Sequence, residues 1–464
     1  MVRRGGISDR ATLCVFLARA QAVVLGFVPY GRVCKRNYDC GVVVFVSEIN
    51  YACNKCGVLS GLVEPVYVCP HCCGNLDVVL NVARVRREHS PASIGAGTDA
   101  SLWRYAELLP VQVPPTTTAA LRSVGGTPLF PVSRLGEHCG LRDVWIKDDS
   151  RLPTASFKDR ASAVVVARAL DQGITRLITA STGNAGVALA GMAAAAGLEA
   201  VILVPESAPP AKIAQLLIFG ARLILVKGNY DAAFKLSLQA ARELGMYCRS
   251  TGYNPFTLEG KKTAAFEIAE QLCAGTGGEA REMWTAPDCV FVSVGDGNII
   301  GGVYKGFKEL HALGWISRVP RMIGVQAAGS AAIYNAFAAR TDEIVAVAAH
   351  TVADSIAADF PADGLHGLQA ATQSGGAYVT VTDAEILAAI PELARLTGVF
   401  AEPSCAAAYA GLLKAARSGL AAAHERVVLL ITGSGLKDVA TAMRTVGAPP
   451  LIAPSVAELR QVLI

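Results

Sequence analysis

Charge is scarce in this chain. Only 17% of its 464 residues are Asp, Glu, Lys or Arg, and the formal balance is +4. A balance that small for this length implies no polyanionic partner. No long basic patch interleaved with aromatics occurs, which argues against a nucleic-acid surface. The seven histidines are scattered without ligand spacing. Three familiar motifs are missing: there is no GxxxxGK[ST] phosphate loop, no HExxH zinc helix and no GxSxG nucleophile elbow. An unbroken apolar span of about 20 residues, as a membrane crossing requires, is missing too. The nearest stretch, Ala11 to Val28, follows Arg3, Arg4 and Arg10 and is broken by Arg19 and Gln21. It reads as an extension or a misassigned start, with a weak leader or transit segment as the alternative. The thirteen cysteines are an odd number, and most stand singly in apolar runs. That is the usage of a reducing compartment, not a disulfide scaffold, so a cytoplasmic location is expected.

What the chain does have is apolar mass. Hydrophobic residues make up 52% of it, enough for two or three domains and a full-sized core. Strand signals at Asp143–Asp148, Arg176–Ala180, Ala200–Val204, Arg222–Val226, Cys289–Val294, Arg321–Gln326 and Arg426–Thr432 are apolar runs. Helical patterns separate several of them: Phe157–Leu170, Ala185–Ala196, Lys212–Phe219 and Tyr230–Leu244. Strand, turn and helix in this rhythm predict α/β layers with mostly parallel sheets. The expected division is an extension of unclear role over residues 1–50, with a strand-like run at Gly41–Ser47, and a cysteine segment over 51–80. A linker with a short helix at Ser101–Leu109 follows over 81–120, then a core over 121–445 and a tail over 446–464. Within the core, residues of about 165–260 form a smaller inserted subdomain.

Cys53-Asn-Lys-Cys56 and Cys69-Pro-His-Cys72 are two CxxC pairs separated by twelve residues. Four thiolates at this spacing fit a zinc ribbon, and four leave no open position for water, so the zinc is expected to be structural. Cys73 and His71 are alternative ligands, and metal-free thiols are the alternative to zinc.

Lys158 lies in Leu152-Pro-Thr-Ala-Ser-Phe-Lys-Asp-Arg160, just after a predicted strand. A lysine there suits attachment to an aldehyde cofactor. Two glycine-rich turns add weight, Ser181-Thr-Gly-Asn-Ala-Gly186 and Ser293-Val-Gly-Asp-Gly-Asn-Ile299. One lysine with two such turns points to pyridoxal phosphate. Gly295, Asp296, Gly297, Asn298 and Ile299 would cradle the phosphate at a helix start, although the spacing fails the dinucleotide fingerprint. Asn184 is expected at the phenolic oxygen, and Ser181 and Thr182 at the substrate carboxylate. Thr432, at the end of the last apolar strand, is expected near the ring nitrogen. For each of these turns the alternative is an ordinary strand-to-helix turn or cap.

With these motifs in view, the chain resembles threonine synthase, within the tryptophan-synthase-beta-like group of pyridoxal phosphate enzymes (fold type II). The likeness runs from about residue 53 to 445 and follows one motif order. It takes in the cysteine ribbon, Ser101-Leu-Trp-Arg-Tyr105, Gly125-Gly-Thr-Pro128 and Ser156-Phe-Lys-Asp-Arg160. It continues through Asn254-Pro-Phe-Thr-Leu-Glu-Gly-Lys-Lys-Thr263, Gly295-Asp-Gly-Asn298, Glu402-Pro403 and Thr432-Gly-Ser-Gly-Leu-Lys-Asp438. The resemblance implies two three-layer α/β domains with open, mostly parallel sheets, plus the zinc-ribbon-like segment. It implies conversion of O-phospho-L-homoserine to L-threonine and phosphate, an amino-acid substrate, and a homodimer. It also places Thr154, Ser156 and Arg160 around the substrate phosphate. Two departures stand out. Leu152 and Ala155 replace the Asn and Gly of the usual Asn-Pro-Thr-Gly, and Ala353-Asp-Ser-Ile-Ala-Ala-Asp359 lacks an expected arginine. They leave open another amino-acid lyase or synthase: a threonine or serine dehydratase, a diaminopropionate ammonia-lyase or a cysteate-synthase-like enzyme.

Overall fold

The structure is a computed structural model that describes residues 49–61, 65–275 and 283–463. The predicted Ala11–Val28 and Gly41–Ser47 stretches lie outside the described residues. Three sheets organise the rest. The first is a small antiparallel ribbon of β1 (Asn50–Cys53), β2 (Leu59–Gly61) and β3 (Leu76–Val78), in the order β2-β1-β3. The largest sheet contains β4 (Leu129–Pro131), β5 (Asp143–Asp148), β10 (Cys289–Ser293), β11 (Arg321–Ala327), β12 (Ala377–Val381) and β13 (Arg426–Ile431). Its order is β12-β11-β10-β13-β5-β4, and all pairs are parallel except β4 with β5. The third sheet is wholly parallel, with β6 (Arg176–Ala180), β7 (Glu199–Pro205), β8 (Arg222–Val226) and β9 (Tyr247–Cys248) in the order β8-β7-β6-β9.

The inner strands of both larger sheets are covered on their two faces, as the alternation of side chains shows, whereas the edge strand β8 is largely exposed. Val290 and Val292 of β10 point into one apolar cluster, while Cys289 and Phe291 point into another. In β7, Ala200, Ile202 and Val204 face one layer, and Val201 and Leu203 the other. A strand buried on both faces needs apolar residues at every position, which is why these strands read as continuous apolar runs.

Five helices position the site: α1 (Lys158–Asp171), α2 (Asn184–Ala196), α3 (Phe256–Gly275), α4 (Asn298–Leu313) and α5 (Pro403–Arg417). α3 is buried around most of its circumference over Phe256–Ala269 and therefore carries no polar stripe. The predicted linker is more ordered than expected. It holds helices at Val82–Glu88 and Pro91–Gly95, the second closed by a capping box between Ser90 and Ser93. The predicted Ser101–Leu109 helix is a 3-10 segment, Leu102–Leu108, started by the Ser101 hydroxyl. The tail ends in a helix at Val456–Leu463. No described helix is long and apolar enough to cross a membrane.

A buried ion network locks the start of α1. Arg160 is fully enclosed, and its Nε donates to Asp149 Oδ2 at 2.5 Å while its Nη1 donates to Glu267 Oε1 at 2.6 Å. Lys147 donates to Glu267 Oε2 at 2.6 Å, and Thr127 Oγ1 to Asp149 Oδ1 at 2.5 Å. Two cations and two carboxylates cancel, which lets the group remain charged away from water. Replacing Arg160 by Leu strands two carboxylates beside one cation. Arg160→Leu is expected to lower the unfolding free energy by about 3–5 kcal/mol. Urea denaturation measures this, and an unchanged midpoint would show that the carboxylates find other partners.

Candidate active site

The carboxyl ends of β10 and β13 open into a cleft. Its walls include Lys158, Thr251, Lys261, Ser293, the turn from Gly295 to Ile299, Ser355, Ile356, Glu402 and Thr432. The cleft therefore brings together Lys158, Gly295, Asp296, Gly297, Asn298, Ile299 and Thr432, as the sequence placed them. A cleft outside the carboxyl ends of parallel strands is where α/β folds bind ligands.

Lys158 is the first residue of α1, and the loop before it is pinned from the far end of the chain. Ser156 forms an isolated bridge with Gly433, and the Phe157 amide donates to Thr432 O at 2.9 Å. Ala155 sits at φ +58°, a left-handed conformation that a methyl side chain resists. Glycine is the natural occupant of such a position. Burial holds the Lys158 ammonium below the usual lysine range, against the opposing pull of Glu402 and Asp296. The same burial raises the carboxyls of Glu402 and Asp296.

The Gly295–Ile299 turn joins β10 to α4. Gly297 has φ +88° and caps the helix, leaving the amides of Asn298, Ile299 and Ile300 without intrahelical partners. These amides and the positive end of a 16-residue helix face the cleft. The Ser293 hydroxyl on the same wall is buried and has no hydrogen-bond partner. Unpaired donors around a lysine fit the phosphate and aldehyde of pyridoxal phosphate.

Asn184 opens α2 behind Gly183, and its Nδ2 donates to Glu402 Oε1 at 3.0 Å and Oε2 at 3.1 Å. Thr432 Oγ1 lies 3.0 Å from Cys405 Sγ, a thiol that burial raises well above its usual range. Ser181 and Thr182 are half-buried and do not line the cleft. Thr154 and Ser156 do not line it either. The Thr154 amide donates to Asp159 Oδ2 at 2.7 Å and its hydroxyl also bonds Asp159, whereas the Ser156 hydroxyl is buried without a partner.

Arg160 needs a correction. The expectation that it meets a substrate phosphate fails because its guanidinium is spent on Asp149, Glu267, Thr127 and Thr263 inside the core. Another cation went unnoticed in the sequence. Arg249 is fully buried and, among the described residues, faces no carboxylate at ion-pair distance; its Nε donates to Ser162 at 3.1 Å and its Nη1 to Thr251 at 2.7 Å. Its Nη2 has no partner, and burial lowers its pKa to about 10. Lys261, Ser293 and Glu402 were likewise given no role from sequence. Nothing local distinguishes them from structural residues, although all three lie inside quoted motifs.

The ribbon sits against this site. The sulfurs of Cys53, Cys56, Cys69 and Cys72 all lie within 4.8 Å of one another, with Cys53 to Cys72 at 3.4 Å and Cys56 to Cys69 at 3.7 Å. Four zinc-bound thiolates at about 2.3 Å from a metal would stand about 3.8 Å apart, so the set fits that ion. Cys73 and His71 are outside the group. Asn75, just past the second knuckle, donates to Asp363. Asp363 Oδ2 in turn accepts from Asn298 Nδ2 at 2.6 Å.

Residues 120–433 match the family model for pyridoxal-phosphate dependent enzymes. The chain belongs to this family. It is an enzyme of fold type II, related to amino-acid lyases and synthases. It is 36% identical over 413 residues to a threonine synthase of Methanocaldococcus jannaschii, covering 89% of this chain and 98% of that protein. It is 38% identical over 358 residues to a threonine synthase of Mycobacterium leprae, covering 76% and 94%. Solved structures at lower identity share the fold. A threonine deaminase isoform from Solanum lycopersicum superposes with a TM-score of 0.58 at 21% identity, over 73% of this chain and 92% of that one. Maize serine racemase does so with 0.59 at 20%, over 69% and 91%.

His366 steadies the turn from behind. Its Nδ1 lies 2.6 Å from Asp363 Oδ1 and its Nε2 3.0 Å from Asp77 Oδ2. Burial alone would lower its pKa, but the two carboxylates overcome that and raise it to about 10. The imidazolium is then kept in the fold and lost from the unfolded chain above about pH 6.5. Its stabilisation is complete below that pH and disappears as pH rises through about 10. Denaturation midpoints are expected to fall across this window, by up to about 1.4 kcal/mol per pH unit. In His366→Gln this part of the slope should vanish; an identical slope would assign it to other groups.

Proposed function

We propose that the protein converts O-phospho-L-homoserine and water to L-threonine and phosphate. The observation that carries this reading is the meeting of Lys158 and the Gly295–Ile299 turn in one cleft. The identity to threonine synthases across nearly the whole described chain supports it. Pyridoxal phosphate, when bound, would supply an electron sink for carbanion chemistry at the substrate.

The chain's own residues do the rest. Lys158 would hold the cofactor aldehyde, and its amine would carry protons between the alpha and beta carbons of the substrate. Burial shifts its pKa toward the neutral amine, the form that takes a proton. The amides from Gly295 to Ile299 would hold the cofactor phosphate. Asn184 would serve the phenolic oxygen and Thr432 the ring nitrogen, where a neutral hydroxyl would leave the ring weakly polarised. Ser181 and Thr182, expected at the substrate carboxylate, stand outside the cleft and take no part in this reading. Arg249 takes over the role first assigned to Arg160: its free Nη2 is a donor awaiting an anion beside Thr251.

A second reading rests on Leu152 and on the Asp354–Ile356 turn. Leu152 is buried in the apolar core, and Ser355 and Ile356 line the cleft where a charged side chain would suit a phosphorylated substrate. An unphosphorylated hydroxy amino acid, dehydrated to a keto acid, fits that wall.

The deciding experiment measures phosphate and L-threonine released from O-phospho-L-homoserine by the cofactor-loaded enzyme. Equimolar products, absent from Lys158→Ala, are expected. Arg249→Met should raise KM for this substrate by about 10- to 100-fold, the worth of a charge-assisted hydrogen bond. Keto-acid release from threonine or serine without phosphate turnover would favour the second reading.

For the ribbon, we infer one structural zinc held by Cys53, Cys56, Cys69 and Cys72. Elemental analysis is expected to find one zinc per chain, and Cys69→Ser to lose it along with thermal stability. A metal-free protein of full stability would show the thiols to be sufficient alone.

A further inference from the structure

We propose that Lys261 is a charged ligand of the cofactor's phosphate, acting beside the amides of the Gly295–Ile299 turn. The proposal rests on the cofactor reading above and adds to it a residue that sequence motifs leave without a role.

Two adjacent lysines make the contrast. Lys261 and Lys262 both project from α3 and are both fully buried. Lys262 is neutralised by Glu259 at 2.5 Å and Glu309 at 2.8 Å. Lys261 has no carboxylate within ion-pair distance among the described residues, and its hydrogen bond goes to the amide oxygen of Asn298. An amide oxygen orients an ammonium but does not cancel its charge. Leaving a buried ammonium uncompensated is costly.

The location makes that cost larger. Asn298 is the first residue of α4, so the Lys261 ammonium stands at the positive end of a 16-residue helix. A cation belongs at the opposite end. Burial holds its pKa well below the usual lysine range, and Lys158 and Arg249 push it the same way against Asp363 and Asp296. A dianion entering the cleft that Lys261 lines would add an attraction that offsets these unfavourable terms. The unpartnered Ser293 hydroxyl on that wall awaits the same kind of ligand.

The lysine is also held in place rather than tolerated. A Cβ at Gly302 would stand 2.7 Å from the Lys261 Cβ, so a glycine there lets the lysine stem lie flat against α4. Asn298, which aims the ammonium, is fixed through its own Nδ2 by Asp363. Asp363 is gripped in turn by His366 and Asn75. The result is a preorganised cation, with its side-chain entropy already lost before the ligand arrives.

The test separates the phosphate from the rest of the cofactor. Cofactor-free protein is titrated with pyridoxal phosphate and with pyridoxal, which lacks the phosphate, following the visible absorption of the lysine adduct. In Lys261→Met, pyridoxal phosphate affinity is expected to fall about 10- to 100-fold while pyridoxal affinity stays within about twofold. Lys261→Gln, which keeps a hydrogen bond to Asn298, should behave like Lys261→Met and guards against simple misfolding. Inorganic phosphate should compete with pyridoxal phosphate less well in both variants than in the parent. Equal weakening of both aldehydes would overturn the proposal and leave Lys261 a packing residue. Unchanged pyridoxal phosphate affinity with a raised KM for O-phospho-L-homoserine would overturn it too, moving the ammonium to the substrate's phosphate. A parent protein that forms no adduct with pyridoxal phosphate would instead sink the cofactor reading itself.

Discussion

Arg160 sits inside the molecule with its guanidinium divided between Asp149 and Glu267 and its carbon centre 5.7 Å from the Phe157 ring centroid. Those groups belong to the end of β5, the start of α1 and the middle of α3. No water can replace a partner there, so the three segments are fixed relative to one another or the charge is stranded. The position of Lys158, two residues before Arg160 on the same helical turn, follows from that demand. A side chain expected at the substrate proves to hold the frame that carries the reactive lysine.

The interior thus contains two electrostatic regimes. Around Arg160, Lys147, Asp149 and Glu267, positive and negative charges close on each other. Around the cleft they do not. Among the described residues Lys158, Lys261 and Arg249 each lack a carboxylate at ion-pair distance, and the carboxyls of Asp296 and Glu402 are raised by burial. A folded protein tolerates such an imbalance where a ligand completes it, and the proposed phosphate groups have the sign required. Perturbed groups collect at functional sites for this reason.

Much of this was legible before any coordinates. Lys158 and the Gly295–Ile299 turn announce themselves because their chemistry is local: a few consecutive residues carry it. The parallel strands were legible because burial on both faces writes an unbroken apolar run. What escaped depends on partners distant in sequence. Glu267 reaches Arg160 across 107 positions, and nothing near Arg160 says that its charge is already taken. Lys261 and Lys262 are the same letter twice, and only the packing of α3 against α4 separates a neutralised lysine from an uncompensated one. The helices at Val82–Glu88 and Pro91–Gly95 were lost to a different cause. They are short, and their polar caps resemble a linker.

The order of the large sheet has a consequence for how the protein is made. β5 pairs with β13, and the loop before Lys158 is bridged by Gly433. β5 and the lysine leave the ribosome well before their neighbour β13. Until then one edge of β5 has no partner, and an open apolar edge invites pairing with other chains. The four-stranded sheet, built from residues 176–248 alone, can assemble in the interval. A chain stalled before β13 would therefore carry Lys158 and part of the fold but no finished cleft, so the site stays incomplete until β13 is in place.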